Sequence, residues 1–133
     1  MAKTFTVSVE GADLKPEDLL HFVETDEFRD DWENLGMDVE TDLYALQVAI
    51  MSDPKGPVVI KGTGGLRKVR FARKDAGKSG GVRVCYVYFE DHWTVLLVIA
   101  YGKNERDDLT AKEKQGIKAY IGRIEKYLAQ RNY

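Results

Sequence analysis

The sequence predicts an α+β fold: an antiparallel, mixed-edge β-sheet with two N-terminal helices and a C-terminal helix. Three observations carry that expectation. Apolar residues recur at helical spacing between Phe28 and Ile50, and alternate with period two from Leu66 onward. A capping sequence, Thr110-Ala-Lys-Glu113, then opens a last stretch with helical spacing. Helices that segregate to the ends of a run of strands pack as an α+β domain. At 133 residues, the chain 1–133 is expected to be one domain with an adequate core of its own.

Taken in order, Thr4 to Val9 alternates with Phe5, Val7 and Val9 on one face and reads as a strand. Gly11 to Asp18 is polar, and Pro16 can start a short helical turn there. Leu19 to Glu24 is a second short apolar run. Thr25 is placed to cap a helix whose first turn carries Asp26 and Glu27, favourable against its dipole. Phe28, Trp32 and Leu35 share a face of that helix, and Gly36 ends it. Asp38 is the candidate cap of a second helix with Leu43, Leu46, Gln47 and Ile50 as its stripe, stopped by Asp53-Pro54. Leu66 to Phe71 reads as a strand with Arg67, Val69 and Phe71 on one face and Lys68 and Arg70 on the other. A basic, glycine-rich loop over 72–81 leads to a strand from Val82 to Phe89, which turns at Glu90-Asp91. Trp93 to Tyr101 is apolar almost throughout and should be a central strand covered on both faces. The final helix presents Ile117, Tyr120, Ile121, Ile124, Tyr127 and Leu128.

Composition narrows the function. Cys85 is the only cysteine, which excludes an intrachain disulfide and a cysteine zinc cluster and suits a reducing compartment. The longest apolar run, Val95 to Ala100, is too short to cross a bilayer. Met1-Ala-Lys leads into an alternating stretch unlike a signal peptide, so a cytoplasmic location without membrane association is expected. The net charge of −2 conceals a strong asymmetry. Residues 1–56 hold 14 acids and 4 bases, whereas residues 57–133 hold 8 acids and 16 bases. Between Lys61 and Arg83, eight cations face only Asp75. A polarity of that kind points to an anionic partner for the second half.

Each candidate chemistry has a plainer competitor. Ala72 to Ser79 fits a loose phosphate-loop pattern, but a strand follows where a helix should supply amides, so a hairpin loop is the better account. His21, His92 and Cys85 show no metal-ligand spacing and no nucleophile beside a histidine, so neither a metal nor another cofactor is expected. The acids from Asp26 to Asp42 sit at helix starts and exposed positions, and read as a solvated face. The basic cluster is different. Lys68 and Arg70 share a strand face, and Arg83 on the next strand can stand beside them. Like charges side by side are destabilising, which favours a phosphate ligand over a merely solvated face.

Three motifs carry a family resemblance. They are Gly62-Thr-Gly-Gly-Leu-Arg-Lys-Val-Arg70, Gly77-Lys-Ser-Gly-Gly-Val-Arg83-Val-Cys-Tyr-Val-Tyr88 and Tyr101-Gly-Lys-Asn-Glu105, together with the opening strand Phe22-Val-Glu-Thr. In that order they resemble the RelE/ParE toxin superfamily, most closely its HigB-type toxins. The resemblance spans roughly Phe22 to Leu128 and leaves residues 1–20 as an atypical N-terminal extension. It implies a RelE-like fold and the toxin of a type II toxin–antitoxin pair, one that enters the ribosomal A site and cuts messenger RNA without a metal. It also implies a cognate HigA- or RelB-like antitoxin, often with a DNA-binding domain. Lys68, Arg70 and Arg83 match the family's catalytic positions on the concave sheet face. Where RelE-like members place a further arginine and a tyrosine, this chain has Asn104 and Thr110. Lys103 or Arg106 is then the supporting cation, and Arg67, Arg73, Lys74 and Lys78 would grip RNA. Attack of a 2′-hydroxyl on the adjacent phosphate gathers negative charge that preplaced cations stabilise. The 2′-hydroxyl must lose its proton to a base beside that phosphate, and Lys68 is the candidate. The competing expectation is a toxin of this fold, or a nucleic-acid-binding module, that inhibits another target without cutting RNA. The antitoxin could cover Arg67 to Arg83 or the acidic helices between Thr25 and Ile50. Charge favours the helices, which are poorly suited to face ribosomal RNA.

Overall fold

The computed structural model describes residues 7–9, 12–14, 16–71, 81–102 and 109–131. Its elements follow the chain as β1 (Val7–Val9), β2 (Ala12–Leu14), β3 (His21–Glu24), α1 (Asp26–Asn34), α2 (Thr41–Ser52), β4 (Leu66–Phe71), β5 (Val82–Phe89), β6 (Thr94–Gly102) and α3 (Ala111–Gln130). Short 3-10 turns lie at Pro16–Asp18 and Glu90–His92.

The main sheet has the order β3-β6-β5-β4. β4, β5 and β6 form the expected antiparallel meander, and β3 joins parallel to β6 as an edge. That edge strand comes from the second apolar run. The alternating N-terminal segment is described only from Val7, and there it pairs with β2 in a separate hairpin. β6 is central, and every residue from Thr94 to Ala100 is buried. On one face, Phe28 and Trp32 of α1 and Leu46 and Ile50 of α2 pack against Val82, Val84, Tyr86, Val95 and Leu97. On the other, Ile121 and Leu128 of α3 cover Leu66, Cys85, Val87 and Leu96. The fold is α+β in three layers, helices on both faces of one mixed sheet.

Local chemistry explains most element ends. Thr25 Oγ1 accepts the Phe28 N–H at 2.9 Å and caps α1. Gly36, with φ 76°, closes the same helix through its N–H on Glu33 O. Asp38 acts at the start of α2 although two residues separate it from Thr41. Its Oδ1 accepts the N–H groups of Thr41 and Glu40, which hold the carboxyl below the usual carboxylate range. Thr110 and Glu113 form the reciprocal capping box of α3 at 2.9 and 3.1 Å.

Three expectations need correction. Trp93 does not open β6; it sits at φ 50° after the turn and is 72% exposed, so the strand begins at Thr94. Tyr127 leaves the buried stripe of α3, and its hydroxyl accepts from Arg131 at 2.8 Å. Asp31 is not simply part of a solvated acidic face. Opposite the step from Cys85 to Tyr86, β6 carries an extra residue, Val98, between partners Leu97 and Ile99. Asp31 Oδ2 accepts the Ala100 N–H at 3.0 Å, and Thr25 Oγ1 donates to Val98 O at 2.7 Å. These bonds pin α1 to the bulge.

Candidate functional site

The Gly62-Thr-Gly-Gly65 segment sets the start of β4. Gly62 and Gly64 adopt φ of 87° and 79°, in the region that favours glycine. Thr63 is fully buried; its hydroxyl donates to Ile60 O at 2.7 Å and accepts the Leu66 N–H at 3.0 Å. The turn also passes close beneath α3, because a Cβ on Gly64 would lie 3.1 Å from Lys118 Cγ. Leu66 then enters the core beneath α3. From that anchor the two-residue period decides where every later side chain of β4 points.

Lys68 and Arg70 stand on the α3 side of the sheet, since Val69 and Phe71 pack on the α1/α2 side. Arg83 points the same way, because its neighbours Val82 and Val84 belong to the α1/α2 core. Arg70 lies directly opposite Arg83, and Lys68 opposite Cys85. Directly opposed side chains start about 4.5–5.5 Å apart at Cβ. The structure therefore brings Lys68, Arg70 and Arg83 together. Lys68 and Arg70 are exposed and Arg83 is half-buried, so the trio faces solvent from a rigid base. Among the described residues none of the three forms an ion pair.

The register extends the row by one strand that charge patterning did not reveal. Arg83 pairs with Tyr101 on β6, so Arg70, Arg83 and Tyr101 stand abreast across three strands. Tyr101 packs at the margin of the α3-side core, which fixes its direction. Spacing within one strand cannot show such a neighbour; the pairing of β5 with β6 does.

Arg67 is placed elsewhere. It lies on the α1/α2 side, where its Nη1 donates to Pro57 O at 2.6 Å and Lys55 O at 3.1 Å. Tyr86, its partner across the ladder, donates its hydroxyl to Pro54 O at 2.8 Å. Together they tie the turn after α2 to the sheet, and Lys55 Nζ meets Glu90 at 3.1 Å beside it. Burial pushes the Tyr86 phenol up to about 12, with Arg67 opposing that shift and Asp53 adding to it.

The remaining predicted cations, Arg73, Lys74, Lys78, Lys103 and Arg106, lie outside the described residues, as does the loose phosphate-loop segment except its flank at Gly81. Cys85 is buried at 1% exposure. His21 is on the edge strand and His92 in the turn between β5 and β6. Among the described residues no group of three His, Cys, Asp or Glu side chains is arranged to hold a metal. A cavity of about 460 Å³ lies between α1, β6 and α3, lined by Thr25, Val98, Ile99, Leu109, Ile117 and Tyr120. No β4 or β5 residue lines it, so it is separate from the trio.

The profile described as the RelE toxin of the RelE/RelB toxin–antitoxin system matches residues 42–131, more than half of the chain. Among solved structures, the chain is similar to an arginine double mutant of the E. coli toxin RelE in the free state. The identity is 18%, over 77% of this chain and 96% of that one, with a TM-score of 0.49.

Proposed function

The chain belongs to the RelE toxin family, and from that premise we propose that it is a ribosome-dependent endoribonuclease that stops translation by cutting messenger RNA in the A site. Its partners are then the ribosome and a cognate antitoxin of HigA or RelB type, and its place of action is the cytoplasm. No helix among the described residues is long and apolar enough to cross a membrane.

The observation that carries the proposal is the Arg70–Arg83 pair with Lys68 on the same sheet face. Two guanidiniums held abreast, with no described carboxylate between them, repel each other in the free protein and are relieved by a phosphate. Arginine suits that ligand, because its planar fork meets two phosphate oxygens at once. In the proposed reaction Lys68 takes the proton of the 2′-hydroxyl, and the oxygen attacks the neighbouring phosphorus. Arg70 and Arg83 hold the phosphoryl oxygens as charge develops, and a 2′,3′-cyclic phosphate and a 5′-hydroxyl result. No step calls for a metal. Lys103 is the supporting cation, and Arg73, Lys74, Lys78 and Arg106 carry the RNA backbone. Arg67 is taken up by two backbone carbonyls, and in this proposal it serves RNA binding only by steadying β4.

The antitoxin is proposed to dock on the acidic helical side. Asp26, Asp30 and Glu33 there, with the single cation Arg29, border a hollow of about 450 Å³ together with Val39, which is 64% exposed. Purified protein added to ribosomes programmed with a defined message tests the enzymatic reading. It predicts cleavage of ribosome-bound message with 5′-hydroxyl ends. Inhibited translation with intact message would instead establish a toxin that acts by binding.

A further inference from the structure

The proposed cleavage needs a proton for the departing 5′-oxygen, and Lys68, Arg70 and Arg83 are poor sources of one. A guanidinium keeps its proton at any ordinary pH. Lys68 is occupied as the base. The histidines stand at the wrong end of the sheet: His21 is paired with Thr94, and His92 lies in the turn that joins β5 to β6. Arg83 is at the start of β5, six residues before Phe89 and therefore about 20 Å from that end. Cys85 faces the correct side, but at 1% exposure it lies in the core and out of contact with solvent.

Resting on that proposed reaction, we infer that Tyr101, the residue directly across from Arg83 in the β5–β6 register, is the catalytic proton donor to the leaving group. Its ring is half-buried against the α3-side core, which holds the phenol on the same face as the trio. Arg83 beside it is suited to stabilise the phenolate that proton transfer leaves behind, since a nearby cation favours an anion. The protons and electrons balance. The 2′-hydroxyl proton passes to the Lys68 amine as the 2′-oxygen bonds to phosphorus. The bond from phosphorus to O5′ breaks with its electron pair on O5′, and that oxygen takes the Tyr101 proton. Solvent afterwards removes a proton from Lys68 and returns one to Tyr101.

The test compares the parent chain with Tyr101→Phe on ribosome-bound message carrying either the natural 5′-oxygen or a bridging 5′-sulfur at the cleavage position. A thiolate leaves without protonation, so it bypasses the acid. On the oxygen substrate Tyr101→Phe should lose about 10²-fold or more in kcat with KM unchanged. On the sulfur substrate it should match the parent, while Arg83→Ala remains slow on both. Equal rates for Tyr101→Phe and the parent on oxygen would overturn the assignment. So would an equal loss on both substrates, which would make Tyr101 a structural residue. A parent chain that cuts neither substrate would remove the endonuclease reading itself and the proton donor with it.

Discussion

Arg83 has Arg70 on one side and Tyr101 on the other, and its own strand is buried along most of its length. A half-exposed cation at a strand end adds little to the core, so its removal should separate function from stability. Arg83→Ala should lower message cleavage by about 10²–10³-fold, the usual cost of one preorganised donor to a developing oxyanion. The thermal midpoint should stay near that of the parent; unchanged cleavage at equal protein level would take Arg83 out of the site. Tyr86 offers the opposite case, a residue whose titration is structural. Its phenol is raised to about 12 in the folded chain against 10 when unfolded. Between those values the unfolded chain loses a proton that the folded chain keeps. Stability from this group is therefore complete below pH 10 and is lost as pH rises through 12. Tyr86→Phe should give up the bond to Pro54, about 1 kcal/mol at pH 9, and its stability should fall less steeply from pH 10 to 12. Denaturant midpoints measured across that range check both parts. The Lys68, Arg70 and Arg83 grouping was legible because period two fixes a face and a meander fixes the neighbour. Tyr101 was not, because its place depends on the β5–β6 register.

Elements with a strong period were equally legible: β4, β5 and α3 run where alternation, β-branching and the Thr110 capping box put them. Elements set by distant partners were legible only in part. The family resemblance marks Phe22-Val-Glu-Thr as an opening strand, but the four residues of β3 carry no period of their own, and their parallel pairing with β6 is seen only in the sheet. The bulge at Val98 is invisible in a run of apolar residues, and so is the use of Asp31 to satisfy it across 69 positions of sequence. That role separates Asp31 from its acidic neighbours. Asp31→Ala strands the Ala100 N–H and should cost about 1–3 kcal/mol of unfolding free energy. Asp30→Ala, on the exposed face, should stay within about 0.5 kcal/mol of the parent. Equal effects in chemical denaturation would show that the bond to the bulge contributes nothing.

Charge divides the protein into an acidic side and a cationic side. The acid excess of residues 1–56 is carried in part by α1, which covers one sheet face, and the trio stands on the other. Opposed potentials of this kind suit the proposed arrangement, in which the cationic side meets RNA and the acidic side meets the antitoxin. Charge reversal at Asp30 and Glu33 should therefore weaken antitoxin binding, measured by calorimetry, while Arg83→Ala leaves it unchanged. The reverse pattern would place the antitoxin over the trio. Sequence made this polarity plain, but which face each charge occupies followed only from the fold. Expressing the chain alone in bacteria and mapping mRNA 5′ ends decides whether a cationic row on a RelE-family sheet cuts ribosome-bound message. A cleaving toxin gives growth arrest with new 5′-hydroxyl ends inside coding regions, both lost in Arg83→Ala at matched protein level. Arrest with no new ends, or the same ends with Arg83→Ala, would contradict it.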